Sequence, residues 1–120
     1  MEDLNGLVQL RIYVSSTDKI SEGLLYEFLV IEAKRHGMAG ATAIKGIMGF
    51  GASSVIHSYR FWEIADKVPV VVEMVDEESK ILSFWEKVRN RLETMRNGCL
   101  VTISPVTALL YRAGRSKAEQ

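Results

Sequence analysis

The N-terminal stretch LVQLRIYV, Leu7 to Val14, alternates strictly. Val8, Leu10, Ile12 and Val14 share one face of an extended strand, and Leu7, Gln9, Arg11 and Tyr13 share the other. The period then changes to that of a helix. Ser21 is a residue type that caps helix N-termini, and after it Leu24, Leu25, Phe28, Leu29 and Glu32 recur at helical spacing, with Glu22 placed at the positive end of the dipole. Lys34, Arg35 and His36 followed by Gly37 supply the stop. A second strand is predicted over roughly Gly40 to Lys45. The pattern from Met48 to Lys67 is irregular, broken only by the aromatic pair Phe61 and Trp62. VPVVVEMVD is the strongest strand in the chain, β-branched almost throughout, with Pro69 at its start, where a missing N–H is tolerated. Asp76 is predicted as the cap of a second helix, with Glu77 and Glu78 in its first turn and Ile81, Trp85, Val88, Leu92 and Met95 on one stripe. Gly98 is predicted to end that helix. CLVTISPV reads as a fourth strand, and the polar tail from Arg112 is expected to be flexible.

The element order is β-α-β-β-α-β. Right-handed crossovers then give an α+β, ferredoxin-like fold, a four-stranded antiparallel sheet with two helices on one face. One domain is expected over residues 1–120, with its core at about 7–112. The other sheet face is left bare. In the proline-valine strand Val70, Val72 and Met74 fall on one side and Val71, Glu73 and Val75 on the other, so both faces are largely apolar, and a second subunit is the natural cover. If a subunit buries Glu73, the carboxylate needs a partner, and Arg11 on the neighbouring strand is the candidate. The alternative leaves Glu73 facing solvent.

Composition narrows the function classes. Of the 120 residues 48% are apolar and 25% charged, with a formal net charge of zero, which fits a globular protein and gives no electrostatic reason to expect nucleic acid or an anionic membrane as partner. MEDLNGLVQL carries acidic residues where a signal peptide has basic ones, and no apolar run approaches membrane-spanning length, so a soluble cytoplasmic protein without membrane insertion is expected. Cys99 is the single cysteine and reads as a small buried hydrophobe rather than a reactive thiol. With only His36 and His57 besides, no zinc-type cluster is expected. No nucleophile-base constellation stands out either, so no catalytic residue is assigned.

The segment AIKGIMGFGASS, residues 43 to 54, carries the most suggestive chemistry. Glycines at a strand end permit positive φ and close approach of the backbone to a ligand. It is not a P-loop: Gly46 and Gly51 have that separation, but Ala52 and Ser53 stand where the lysine and hydroxyl belong. It does not match the dinucleotide fingerprint. The pattern alone leaves a structural turn and a ligand loop both open.

KGIMGFG, IHSYRFWEIADKVPVVVEMVDEE and the βαββαβ order together resemble the PII-like signal-transduction proteins, in particular a branch of small bacterial and archaeal proteins with a G-I-M-G-F-G loop; the resemblance covers about residues 8 to 105. It implies a homotrimer that binds an adenine nucleotide (AMP, ADP or ATP) in clefts between subunits. It also implies that Met48 to Lys67 corresponds to the flexible loop with which PII proteins touch a target protein, such as a membrane transporter or an enzyme. Nucleotide contacts are then expected at Lys45, Gly46, Ile47, Gly49, Phe50, Gly51, Arg60 and Arg112, with Phe50 packing the loop or covering the base. Classical PII proteins carry a glycine- and lysine-rich phosphate loop between the second helix and fourth strand, where this chain has only RNG, Arg96 to Gly98, and RAGR at Arg112 to Arg115 is only a faint counterpart of their C-terminal segment. No role is assigned to His57 or Tyr59. The function implied is a regulatory binding module and not an enzyme. The competing class is a small enzyme or metal-handling protein on the same trimeric scaffold.

Overall fold

The structure, a computed structural model, describes residue 1, residues 4–51, the backbone of 57–58 and residues 67–114. In chain order the elements are β1 (Leu7–Ser15), β2 (Lys19–Ile20), β3 (Gly23–Leu24), α1 (Leu25–Arg35), β4 (Thr42–Lys45), β5 (Met48–Gly49), β6 (His57–Ser58), β7 (Pro69–Glu77), α2 (Glu78–Glu93) and β8 (Leu100–Val106). The four long strands form an antiparallel sheet in the order β4-β7-β1-β8, which with α1 and α2 is the ferredoxin-like α+β arrangement expected.

The alternation read in the sequence is the alternation of burial. Val8, Leu10, Ile12 and Val14 of β1 and Val70, Val72 and Met74 of β7 point to the helices and pack against Leu25, Phe28, Leu29 and Ala33 of α1 and Ile81, Phe84, Val88 and Leu92 of α2. Removing a side chain such as Ile12 or Val72 fully from water contributes roughly 1.5–3 kcal/mol. The stripe predicted for α2 omits Phe84, which is completely buried, and includes Trp85, which is only partly so. The opposite face is crossed by rows set by the register. Ile44, Val71, Tyr13 and Leu100 form an apolar row, and Thr42, Glu73, Arg11 and Thr102 form the polar row beside it. Arg11 Nε lies 3.2 Å from Glu73 Oε2, so the candidate partner named from the sequence is in place although the pair faces solvent in the single chain.

Both predicted helix starts are corrected. Residues 19–20 and 23–24 pair as a small hairpin, so α1 begins only at Leu25 and its first N–H donates to the Asp18 carbonyl at 2.8 Å. Ser21 caps nothing: its hydroxyl donates to Glu22, and Glu22 in turn accepts Arg91 Nη2 and Nε at 2.6 and 3.1 Å. Asp76 does not cap α2 either. Strand β7 continues to Glu77, and its alternation turns Asp76 inward, where it is 1% exposed. There Asp76 Oδ2 accepts the Ala39 N–H at 2.9 Å and Oδ1 accepts the Glu77 N–H at 2.8 Å, tying the turn before β4 to the central strand. The second strand starts at Thr42 rather than Gly40.

The stop of α1 is as read: Gly37 has φ +80°, a conformation that only glycine adopts freely, and its N–H donates to Lys34 O. Gly98 does not end α2; Thr94 does, with both its N–H and its hydroxyl donating to Asn90 O. The irregular stretch from Met48 also contains structure, since β5 pairs with β6 through Met48↔Ser58 and Gly49↔His57. Phe61, Trp62 and most of that stretch, like the tail from Arg115, lie outside the described residues.

Glu32 links the helices. Its Oε1 accepts Arg35 Nη1 at 3.1 Å, and Lys87 Nζ of α2 stands 3.3 Å from Oε2 as an ion-pair contact without hydrogen-bond geometry. Arg35 holds the carboxyl below its ordinary value of 4.5, against the opposing effect of burial and with help from Lys87. A depressed folded value means that the ionised form stabilises the fold fully above the unfolded value, and that this contribution is lost as pH falls through the folded one. Glu32→Gln is expected to lower stability at pH 7 by about 1 kcal/mol and to flatten the acid limb of the stability profile below pH 4.5, both measurable by urea unfolding across pH.

Candidate functional site

One end of the sheet gathers four separate stretches of chain. Strand β1 ends there with Tyr13, Val14 and Ser15, β7 begins there at Pro69, and β8, antiparallel to β1, begins there at Leu100 opposite Tyr13. Two links close the corner between β1 and β7: Ser16 N–H donates to Val68 O at 2.8 Å, and Val68 N–H donates back to Ser16 Oγ at 3.0 Å.

The glycine segment is drawn to this corner by Pro69. Gly46 N–H donates to Pro69 O at 2.7 Å. A Cβ on Gly46 would stand 2.9 Å from Pro69 Cγ, and one on Gly49 would stand 3.3 Å from the same atom. Neither glycine has positive φ, so what they provide is close approach to the proline ring and not a left-handed turn. Gly51 faces open space.

Between these pieces lies a cleft of about 490 Å³, lined by Tyr13 to Ser15, Asp18, Gly49 to Gly51, Lys67, Pro69 and Asn97 to Leu100. Phe50 is 70% exposed on its rim. Asp18 at the floor is buried, its Oδ2 accepting Ser15 N–H and its Oδ1 accepting Asn97 Nδ2, both at 2.8 Å. Lys67 supplies positive charge. Cys99 is half-buried, and burial first, then the nearby Asp18 carboxylate, pushes its thiol up, which fits the unreactive role read from the sequence. An aromatic ring, a lysine cation and glycine backbone around one cleft suit an anionic ligand with a flat apolar part.

Of the expected site residues, the cleft brings together Gly49, Phe50 and Gly51. Gly46 is taken up by Pro69, Lys45 and Ile47 are exposed at the end of β4 and do not line the cleft, and Arg112 is exposed beyond the far end of β8. Arg60 and Tyr59 lie outside the described residues, as does the side chain of His57. Sequence reasoning missed Tyr13, Ser15, Asp18, Lys67 and Asn97 to Leu100 as cleft residues. The signal for the last group was the antiparallel neighbourhood of β1 and β8, which obliges the residues entering β8 to meet those leaving β1. Among the described residues no group of three or more His, Cys, Asp or Glu is placed to hold a metal ion, and no helix is long and apolar enough to cross a membrane.

A family model, DUF190, described as "Uncharacterized ACR", matches residues 7–108. The chain is 33% identical over 100 residues to a UPF0166 protein of Aquifex aeolicus, covering 83% of this chain and 90% of the relative. It is 33% identical over 95 residues to a UPF0166 protein of Methanocaldococcus jannaschii, covering 79% and 84%. Among solved structures it is similar to CPII, a nitrogen regulatory PII-like protein from Thiomonas intermedia K12 bound to ADP, AMP and bicarbonate, with a TM-score of 0.59, 18% identity and coverage of 85% and 89% of the two chains.

The contacts at Pro69 separate the glycines by role. Gly46→Val is expected to destabilise the protein by about 1–3 kcal/mol through overpacking. Gly51→Val, with nothing within 4 Å of its Cβ, is expected to leave the melting temperature within a degree or two. Thermal unfolding followed by circular dichroism measures both.

Proposed function

Because the chain belongs to the DUF190 family and has the fold of PII-like proteins, we propose that it is a PII-like regulatory protein that binds an adenine nucleotide in this cleft and is not an enzyme. The observation that carries the reading is the convergence of Gly49, Phe50 and Gly51 with Asn97 to Leu100 around one 490 Å³ space. It is supported by the likeness in fold to CPII, a protein whose solved structure is bound to ADP and AMP. Backbone N–H groups of the Gly49 to Gly51 and Gly98 stretches would meet the phosphates, Lys67 would supply the countercharge, and Phe50 would pack beside the base.

The protein acts, on this reading, as a cytoplasmic homotrimer that signals to a target protein through the long segment Met48 to Lys67. The bare sheet face supports the assembly: Ile44, Tyr13 and Leu100 are 47%, 38% and 56% exposed in a row across four strands, an apolar surface that a second subunit would cover. Strand β8 carries the chain about 20 Å from the cleft before Arg112 is reached, so Arg112 would serve the cleft of a neighbouring subunit and not its own. Lys45, Gly46, Ile47 and Arg60 remain proposed contacts on the same terms.

Calorimetric titration with AMP, ADP, ATP and cyclic nucleotides, paired with a turnover assay, tests the function. Binding of at least one adenine nucleotide with a Kd near micromolar, about 8 kcal/mol, and no turnover is expected. Multiple turnovers would move the protein to the enzyme class, and no binding would remove the nucleotide. For the assembly, Val71→Asp is expected to convert trimer to monomer in light scattering, because it buries an unpaired charge in the middle of the apolar row.

A further inference from the structure

A second cavity lies behind the cleft. This groove, of about 650 Å³, runs between the hairpin residues Lys19 to Glu22 and the end of α2. Among the described residues, Asp18 and Asn97 line both it and the cleft, and they are joined by the 2.8 Å hydrogen bond from Asn97 Nδ2 to Asp18 Oδ1. That bond is the partition between the two spaces.

The two ends of the partition are held very differently. Asp18 is 3% exposed and fixed on its own side three ways: its Oδ2 accepts Ser15 N–H, its backbone N–H donates to Ser15 O, and its carbonyl accepts the first N–H of α1. Asn97 belongs to the stretch between the end of α2 at Thr94 and the start of β8 at Leu100, which is neither helix nor strand. Besides the Asp18 bond, a Cys99 Sγ contact with Leu92 O at 3.9 Å reaches back from this stretch to α2. A rigid carboxylate therefore anchors a turn that has no regular ladder of its own. Gly98 and Cys99, the next two residues, line the cleft together with Gly49 to Gly51 and so form part of its wall.

We propose that Asp18 and Asn97 are positioning residues for the cleft: their hydrogen bond sets where the 97–99 backbone stands and so sets the width of the space a ligand enters. The ligand being an adenine nucleotide rests on the function proposed above; the positioning of the wall does not.

Cys99 makes the wall readable without any ligand, because it is the single thiol in the chain. In the parent it is half-buried, and its reaction with Ellman's reagent is expected to be slow. Asn97→Ala is expected to speed that reaction at least about five-fold and to weaken ADP binding about ten-fold by calorimetry, with far-UV circular dichroism unchanged. Asn97→Gln keeps an amide donor for Asp18 and is expected to recover a good part of both defects, as a merely lost side chain would not. An unchanged thiol rate in Asn97→Ala, or an Asn97→Gln variant as defective as Asn97→Ala in both readouts, overturns the proposal. A parent that binds no ADP while the Asn97 variants still expose the thiol in the expected pattern overturns the nucleotide reading and upholds the positioning.

Discussion

The nine-residue pairing of β1 with β7, from Leu7↔Glu77 to Ser15↔Pro69, is the constraint on which the rest of the molecule depends. Its register decides which side chains meet the helices, and a slip of β1 by one residue against β7 would turn Ile12 out and Arg11 in while Val72 stayed inward. The Arg11–Glu73 contact is itself exposed and worth at most about 1 kcal/mol, but it sits in register and would be lost with any slip. The same pairing ends at Ser15 and Pro69, so it also fixes the corner at which the cleft is assembled.

Among the described residues, three buried carboxylates mark where the chain departs from a plain helix-on-sheet packing, and each is answered by polar partners. Asp76 holds the turn before β4, Glu32 links the two helices, and Asp18 joins the end of β1 to the turn before β8. Asp76 and Asp18 accept backbone N–H groups at strand ends and in a turn, where a buried carboxylate helps to fix the chain. These residues connect elements far apart in sequence, and none of them follows from a local pattern.

That difference explains what could be read from the sequence. The element order and the sheet faces were legible because they rest on periods of two and of 3.6 residues, which local sequence displays, whereas Arg11 as partner of Glu73 was one of two alternatives until the register was seen. The helix starts were not. Ser21 and Asp76 have the right chemistry for caps, but the β2–β3 hairpin and the inward phase of β7 claimed them first. At the cleft, the Gly49 to Gly51 segment was legible as a motif, whereas Asp18, Lys67 and Asn97 take their place from the meeting of strand ends. Gly46 was legible as unusual but not for its reason, since the ring of Pro69 that excludes a side chain there lies 23 residues away in sequence.

The anchoring of both ends of the connection between Gly51 and Lys67 has a consequence for chain length. Gly46 is bonded to Pro69, Gly49 lies against the same ring, and Val68 is bonded twice to Ser16, so the two ends are held beside each other whatever runs between them. The entropy of closing such a span grows only with the logarithm of its length, so that doubling it costs about 0.6 kcal/mol. The scaffold therefore exerts little pressure on how many residues the span contains.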